Sequence, residues 1–281
     1  MLLLLHDELY IALSPRQVLL ILIGRRLTSR GLVRRVLVKK EVFCDVVAGG
    51  ESPWDAAIKT LGEELPALAS RRARATVVIS NHFMRYAVVP WSEALNNESE
   101  ELAFARHCFK QLYGAAADIW ELCLSRRRIG VRQLASAVDG GFLEALRALF
   151  AHAGMPLTSV QPHLMAAYNS CRANLRERSA WFVLFEPGCL CLALIQNERW
   201  INVRTMRVGS DWRESLPLIL EREAYLVESD MATDVVFLWA PELGNATLPA
   251  VGRWQMHNLQ PLTRTRYIPG YERCFARAVS K

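Results

Sequence analysis

The chain has 281 residues, of which 52% are hydrophobic, 22% charged and 9% aromatic, with a formal net charge of +6 and a pI near 9.1. These proportions exclude a disordered or low-complexity polymer and allow one large or two medium domains with a real core. The basic balance points to nucleic acid, an anionic membrane surface or an acidic partner, without choosing among them. Seven cysteines, at 44, 108, 123, 171, 189, 191 and 274, are odd in number and show no zinc-like spacing. They read as reduced thiols in a reducing compartment, with Cys189 and Cys191 as small hydrophobes on one strand face.

The opening run to Leu13 is apolar but interrupted by His6, Asp7 and Glu8. It is too short to span a bilayer and lacks the flanks of a secretory leader, so a cytoplasmic protein is expected. Leu9 to Leu13, Val18 to Ile23 and Arg34 to Val42 read as three strands, the first two joined at Ser14-Pro15-Arg16. Glu51-Ser52-Pro53-Trp54 opens a helix, with Ser52 as the expected cap, Ala57, Leu61 and Leu65 as its apolar stripe, and Pro66 helping to end it. Ala75 to Ile79 and Arg85 to Val89 read as a strand pair around Ser80-Asn81-His82-Phe83. Glu98 to Tyr113 is helical, its inner stripe Leu102, Phe104, Ala105, Cys108, Phe109 and Leu112, and Gly114 stops it.

Two strands follow, Ile119 to Ser125 and Val131 to Val138, divided by Arg126-Arg127-Arg128-Ile129-Gly130. Asp139 caps a helix to His152 that buries Leu143, Leu146 and Phe150; a short strand to Pro162 then leads into a helix from His163 to Asn174. Trp181 to Gly209 reads as a second three-strand meander. Cys189 to Ile195 is apolar on both faces, as in a sheet covered on both sides, and Pro187-Gly188 makes the bend. A helix from Asp211 to Val227, with Leu216, Ile219, Leu220 and Leu226 inward, precedes a buried strand from Val235 to Trp239. Trp254 to Leu259 is a candidate edge strand, and Pro261 to Lys281 is basic and turn-rich.

Two three-strand meanders, each followed by a helix, imply two similar halves. This plan resembles the actin-like ATPase fold, in which two related subdomains each open with a hairpin that grips ATP phosphates. The phrase VVISNHFMRYAVVPW, from Val77 to Trp91, is similar to a stretch of the PilM, MshI and GspL group of cytoplasmic actin-like assembly proteins of type IV pili and type II secretion. So is the later succession of strand, helix, Ala-Gly, short strand and helix. The resemblance runs from about Glu8 to Pro261. It implies an α/β fold of two RNase H-like subdomains, divided near Met155 into residues 1–155 and residues 156–281, the latter with the basic tail.

The family pattern of Asp-x-Gly-Ser/Thr in each hairpin is degenerate here. The first hairpin has Ala12-Leu13-Ser14-Pro15, without the acid and with a proline that donates no N–H. The second keeps Glu186-Pro187-Gly188, so Glu186 and Gly188 are the residues expected to touch a nucleotide if any binds. Where the resemblance places an adenosine-loop Gly-Gly, the chain has Ala240-Pro241-Glu242-Leu243-Gly244. A pseudo-ATPase without cofactor is therefore expected. The six histidines, at 6, 82, 107, 152, 163 and 257, show no helical metal-site spacing, and no nucleophile motif occurs.

The resemblance implies a non-catalytic scaffold that binds the cytoplasmic tail of a single-span inner-membrane protein, with an assembly ATPase and a second copy as further partners. Arg85, Tyr86 and Trp91 are the candidate contacts with that tail. Tyr86, Trp91, Trp200 and Trp212 all read either as peptide anchors or as internal packing. Basic clusters at Arg25-Arg26, at Arg34-Arg35 with Lys39-Lys40, at Arg71-Arg72 with Arg74, at Arg126-Arg127-Arg128, and at Arg264, Arg266, Arg273 and Arg277 read as solvated faces or as attraction to anionic headgroups or acidic partners. No helix-turn-helix, zinc finger or RNA-binding signature accompanies them, so no nucleic acid is expected. The competing class is an ATP-dependent, kinase-like enzyme of the same superfamily, for which Ala12 in place of an acid is the discriminating feature.

Overall fold

The computed structural model describes residues 6–28, 31–45, 52–69, 73–175, 179–227, 233–240 and 252–259. Two compact units emerge, and they are not consecutive in sequence. The first comprises the chain up to Phe83 together with Asp139–Ala166; the second comprises Met84–Val138 and the described chain from Ala167 onward.

In the first unit, β1 (Asp7–Leu13), β2 (Gln17–Thr28) and β3 (Gly31–Phe43) form an antiparallel meander. β4 (Ala73–Ile79) lies parallel to β1, and β8 (Leu157–Pro162) parallel to β4, giving the order β3-β2-β1-β4-β8. In the second unit, β9 (Ser179–Glu186), β10 (Cys189–Gln196) and β11 (Arg199–Arg207) repeat the meander. β12 (Val235–Trp239) runs parallel to β9 and β13 (Gln255–Asn258) parallel to β12, giving β11-β10-β9-β12-β13. The repeat read from the sequence is thus a repeat of topology.

The first sheet is covered on both faces. α1 (Asp55–Glu64) and α4 (Gly140–His152) pack together, with Phe142 at 5.6 Å from Trp54 and 5.3 Å from Phe83, centroid to centroid. On another part of the sheet Ala12, Leu19, Ile21, Ile23 and Val78 form a cluster with Tyr10 and with Ala166 of α5 (His163–Leu175). In the second sheet, alternate residues of β9 and β10 (Trp181, Val183, Phe185, Leu190, Leu192, Leu194) meet Trp212, Leu216 and Leu220 of α6 (Trp212–Tyr225). Phe185 stacks on Trp212 at 4.1 Å. Phe182 instead meets Tyr168 of α5 at 6.1 Å, so the all-apolar β10 sits in a sheet buried on both sides.

A third sheet, β5 (Met84–Val89), β7 (Gln133–Asp139) and β6 (Trp120–Leu124), is inserted between β4 and α4 and belongs to the second unit. α3 (Glu98–Tyr113) covers it with Ala105 and Phe109. β5 lies beside β11.

Several expectations change. β4 and β5, read as a strand pair, lie in different sheets, because β5 pairs with β7 from Met84↔Val138 to Val89↔Gln133. A division at Met155 falls just before β8, whose register with β4 ties it to the first sheet. Ser52 does not cap α1; its N–H donates to the Asp55 carboxylate at 2.8 Å, and the helix starts three residues later. Pro66 opens a further short helix, α2 (Pro66–Ala69). In α3, Leu102 and Leu112 are 36% and 64% exposed, and the buried face includes Glu101 instead. Leu226 lies past the end of α6 and is 59% exposed, whereas Glu223 is buried.

Candidate functional site

The first hairpin ties up its own donors. The Ser14 N–H donates to the Gln17 carbonyl at 3.0 Å, the Ser14 hydroxyl donates to the same carbonyl at 3.0 Å, and the Gln17 N–H donates to Ser14 Oγ at 3.1 Å. Pro15 has no N–H to offer. Ala12 is buried among Leu19, Ile21 and Ile23, where its methyl completes an apolar cluster. An anion approaching this turn meets backbone amides already engaged.

The second hairpin is a two-residue turn between paired Glu186 and Cys189. Pro187 sets φ for the first turn position, and Gly188 takes φ 82°, a left-handed conformation suited to residues without a Cβ. The Val208 N–H donates to the Gly188 carbonyl at 3.2 Å, holding the turn to the end of β11. Glu186 is 1% exposed, a buried carboxylate at the end of β9.

Two sequence readings that had nothing to do with each other meet around Cys189. Burial pushes the Cys189 thiol far above its usual range; Glu186 raises it further, while Arg85 and Arg207 oppose the shift. Arg85, the candidate partner contact on β5, therefore lies within electrostatic reach of the same thiol as Glu186, the candidate nucleotide contact. Arg85 Nη1 donates to the Met84 carbonyl at 2.7 Å, and its guanidinium sits 6.0 Å from the Trp120 ring centroid. Cys191, next on this face, is raised to about 12 by burial, and it accepts from the Thr205 hydroxyl at 3.8 Å. Such thiols stay protonated at neutral pH and are poor nucleophiles.

Tyr86 is 2% exposed; its side chain belongs to the core and cannot wall a peptide pocket at the surface. Its backbone carbonyl accepts from the Tyr113 hydroxyl at 2.9 Å, and burial raises the Tyr113 phenol. Tyr113 also stacks on Phe109 at 5.7 Å and meets Trp120 edge-on at 5.3 Å. Trp91 is partly buried just beyond β5. Trp200 and Trp212 are 8% and 4% exposed and are packing residues. Sequence reasoning missed Tyr113, Trp120 and Arg204, because nothing local marks the end of α3, the start of β6 and the middle of β11 as neighbours. It also missed Glu223, fully buried and paired with Arg204 at 3.4 Å and Arg222 at 3.0 Å; a carboxylate on the inner face of a helix was its only signal.

Among the described residues no cluster of three or more His, Cys, Asp or Glu side chains could hold a metal ion. No described helix is long and apolar enough to cross a membrane. The stretch after Ala240, expected to replace the adenosine loop, and the basic residues from Arg264 onward lie outside the described residues, as do Arg71 and Arg72.

No protein-family profile matches the chain, and no curated protein sequence matches it. Solved structures do match in shape. The cytoplasmic domain of EpsL, an inner-membrane component of the type II secretion system of Vibrio cholerae, superposes with a TM-score of 0.54 at 11% identity, covering 90% of each chain. The PilM–PilN type IV pilus biogenesis complex gives 0.53 at 13% identity over 82% of this chain and 80% of that one. A Bacteroides thetaiotaomicron protein with an actin-like ATPase fold and unknown function gives 0.53 at 12% identity over 84% and 83%. Together with the two sheets of identical strand order, these likenesses establish that the chain has the actin-like ATPase fold.

Proposed function

We propose that the protein is a non-catalytic assembly component that binds a short segment of an inner-membrane partner in a pilus- or secretion-type machine, working at the cytoplasmic side. The observation that carries this reading is the first hairpin. A phosphate-gripping turn needs free N–H groups and a nearby acid; here Ser14 and Gln17 bond to each other, Pro15 lacks a donor and Ala12 is part of the core. The likeness in fold to the cytoplasmic domain of EpsL and to the PilM–PilN complex supports the assembly role. Calorimetry with ATP and Mg²⁺ tests the first half of the reading, and no saturable heat is expected. A dissociation constant in the low micromolar range overturns it in favour of an ATP-using enzyme.

The partner contact is proposed on the exposed portions of Arg85 and Trp91, beside β5. Tyr86 acts there only by supporting the strand. A pull-down with the cytoplasmic tail of a single-span membrane protein encoded beside this chain, using Arg85→Glu and Trp91→Ala with melting temperatures measured in parallel, tests the second half. Weakened capture by variants that melt like the parent is expected. Undiminished capture by both folded variants places the groove elsewhere.

A further inference from the structure

The two meanders end differently. In the second unit the outer strand β11 has β5 beside it. In the first unit β3 is the sheet edge, and among the described residues no strand pairs with its outer side. β3 is 13 residues long, against about 5–6 for an ordinary strand. Val33, Val36, Leu37 and Phe43 are 47%, 42%, 41% and 66% exposed. A long edge with exposed apolar side chains is a template for another strand, because its outward N–H and C=O groups need partners that water supplies only in competition.

The charges on β3 select among possible occupants. The strand carries Arg34, Arg35, Lys39 and Lys40 against a single acid of its own, Glu41; Arg34 pairs with Glu8, Lys39 with Glu41 and Lys40 with Glu64, while Arg35, with Arg25 and Arg26 of the adjoining β2, keeps the region basic. A second copy pairing antiparallel about Leu37 sets Arg34 opposite Lys40 and Arg35 opposite Lys39, which disfavours self-association. Leu37 is also the extra residue of a bulge, where the register slips between Leu22 and Ile23 of β2. Its side chain lies over Gly24, so close that a Cβ there would sit 2.7 Å from Leu37 Cδ1. The bulge twists the edge and leaves a short pairing stretch on either side, unsuited to long fibre-like stacking but long enough for one peptide segment.

We propose that β3 is a docking edge for an extended, acidic segment of a partner protein, which adds to the first sheet as a further strand. Backbone hydrogen bonds supply the affinity. Carboxylates facing Arg35 and Lys40, which share one face as the register partners of Gly24 and Leu20, and apolar side chains against Val36 on the other face, supply selection. This surface belongs to the first unit and is distinct from the Arg85 and Trp91 contact, so either assignment can fail alone.

The test uses the full chain and a fluorescein-labelled peptide of alternating glutamate and valine, about eight residues long. Saturable anisotropy is expected, with slowed amide exchange in β3. Methylating alternate peptide nitrogens keeps the charge and removes one edge of donors, and it should weaken binding at least roughly tenfold. The double variant Arg35→Glu, Lys40→Gln, altered only at exposed positions and checked for an unchanged melt, should lose a similar factor, as should a lysine-for-glutamate peptide. Equal binding by the methylated peptide overturns strand addition, as does binding that leaves β3 exchange unchanged. Absence of saturable binding overturns the proposal outright. So does dimerisation through β3 in sedimentation, which assigns the edge to a second copy. Binding to phosphatidylserine vesicles in place of the peptide, lost in the same double variant, assigns it to a membrane.

Discussion

Glu8 holds a cross-strand problem together. Arg25 on β2 and Arg34 on β3 are direct register partners, an arrangement of like charges that weakens a sheet. Glu8 on β1 lies between them in effect, with its two oxygens 3.2 Å from Arg25 Nη1 and 2.6 Å from Arg34 Nη2. The Tyr10 hydroxyl donates to the same carboxylate at 3.3 Å, and burial, followed by Glu8 itself, raises the Tyr10 phenol. These side chains are about a quarter exposed, so solvent screens the pairs only in part. Glu8→Gln should lower stability by about 1 kcal/mol, read as a lower urea midpoint at unchanged slope. Adding Arg34→Met should then restore part of the loss by removing the opposed charge. A double variant as weak as the sum of the single ones would show that the two arginines do not repel.

At the scale of elements, caps and turns decide where helices and strands begin. Asn97 stands just before α3 in extended conformation, and its Oδ1 accepts from the Glu100 N–H at 3.0 Å. Glu100 reaches back to accept from the Asn96 N–H at 2.8 Å, so two otherwise unpaired donors are satisfied around one turn. Asn97→Ala should cost about 1 kcal/mol in chemical denaturation, and the loss should disappear if Asp replaces Asn instead. At the β9–β10 turn, Gly188→Ala forces a Cβ into φ 82° and should destabilise by about 1–2 kcal/mol. β3 gives the contrary lesson: Gly24 is needed only because Leu37 bulges over it, and a bulge has no signature in a strand of valines, leucines and arginines.

Across the whole molecule, buried acids that stay protonated make the fold sensitive to alkali. Burial raises Cys171 and Cys191 to about 12, raises Cys189 further still, and raises the Tyr10, Tyr113 and Tyr168 phenols above 10. For each such group the unfolded chain releases its proton first. Its contribution is fully present below the unfolded value, about 8.5 for a thiol, and is lost as pH rises through the folded one. Stability should therefore be flat near pH 7–8 and fall between about pH 9 and 12, by up to about 1.4 kcal/mol per thiol per pH unit. Urea midpoints at about pH 8 and about pH 10.5 check this, with Cys191→Ala flattening the slope. Over the same range the exposed Cys123 should alkylate readily while Cys171, Cys189 and Cys191 stay slow.

The sequence alone determined the elements and their repetition. Strand alternation, turn residues and helix caps act over a few neighbours, so both meanders, α3, α4 and the strand from Val235 to Trp239 were legible where they stand. Only the tertiary structure decided which strands share a sheet. β4 and β5 follow one another within a single phrase yet join different sheets, because pairing depends on partners far away in sequence: β1 and β8 for one, β7 for the other. The same long-range packing buried Tyr86, set Arg85 and Glu186 around one thiol, and placed β5 alongside β11. It left the long basic strand β3 as an edge, a property of neither its composition nor its periodicity, since a strand's edge is defined by the strand that is not beside it.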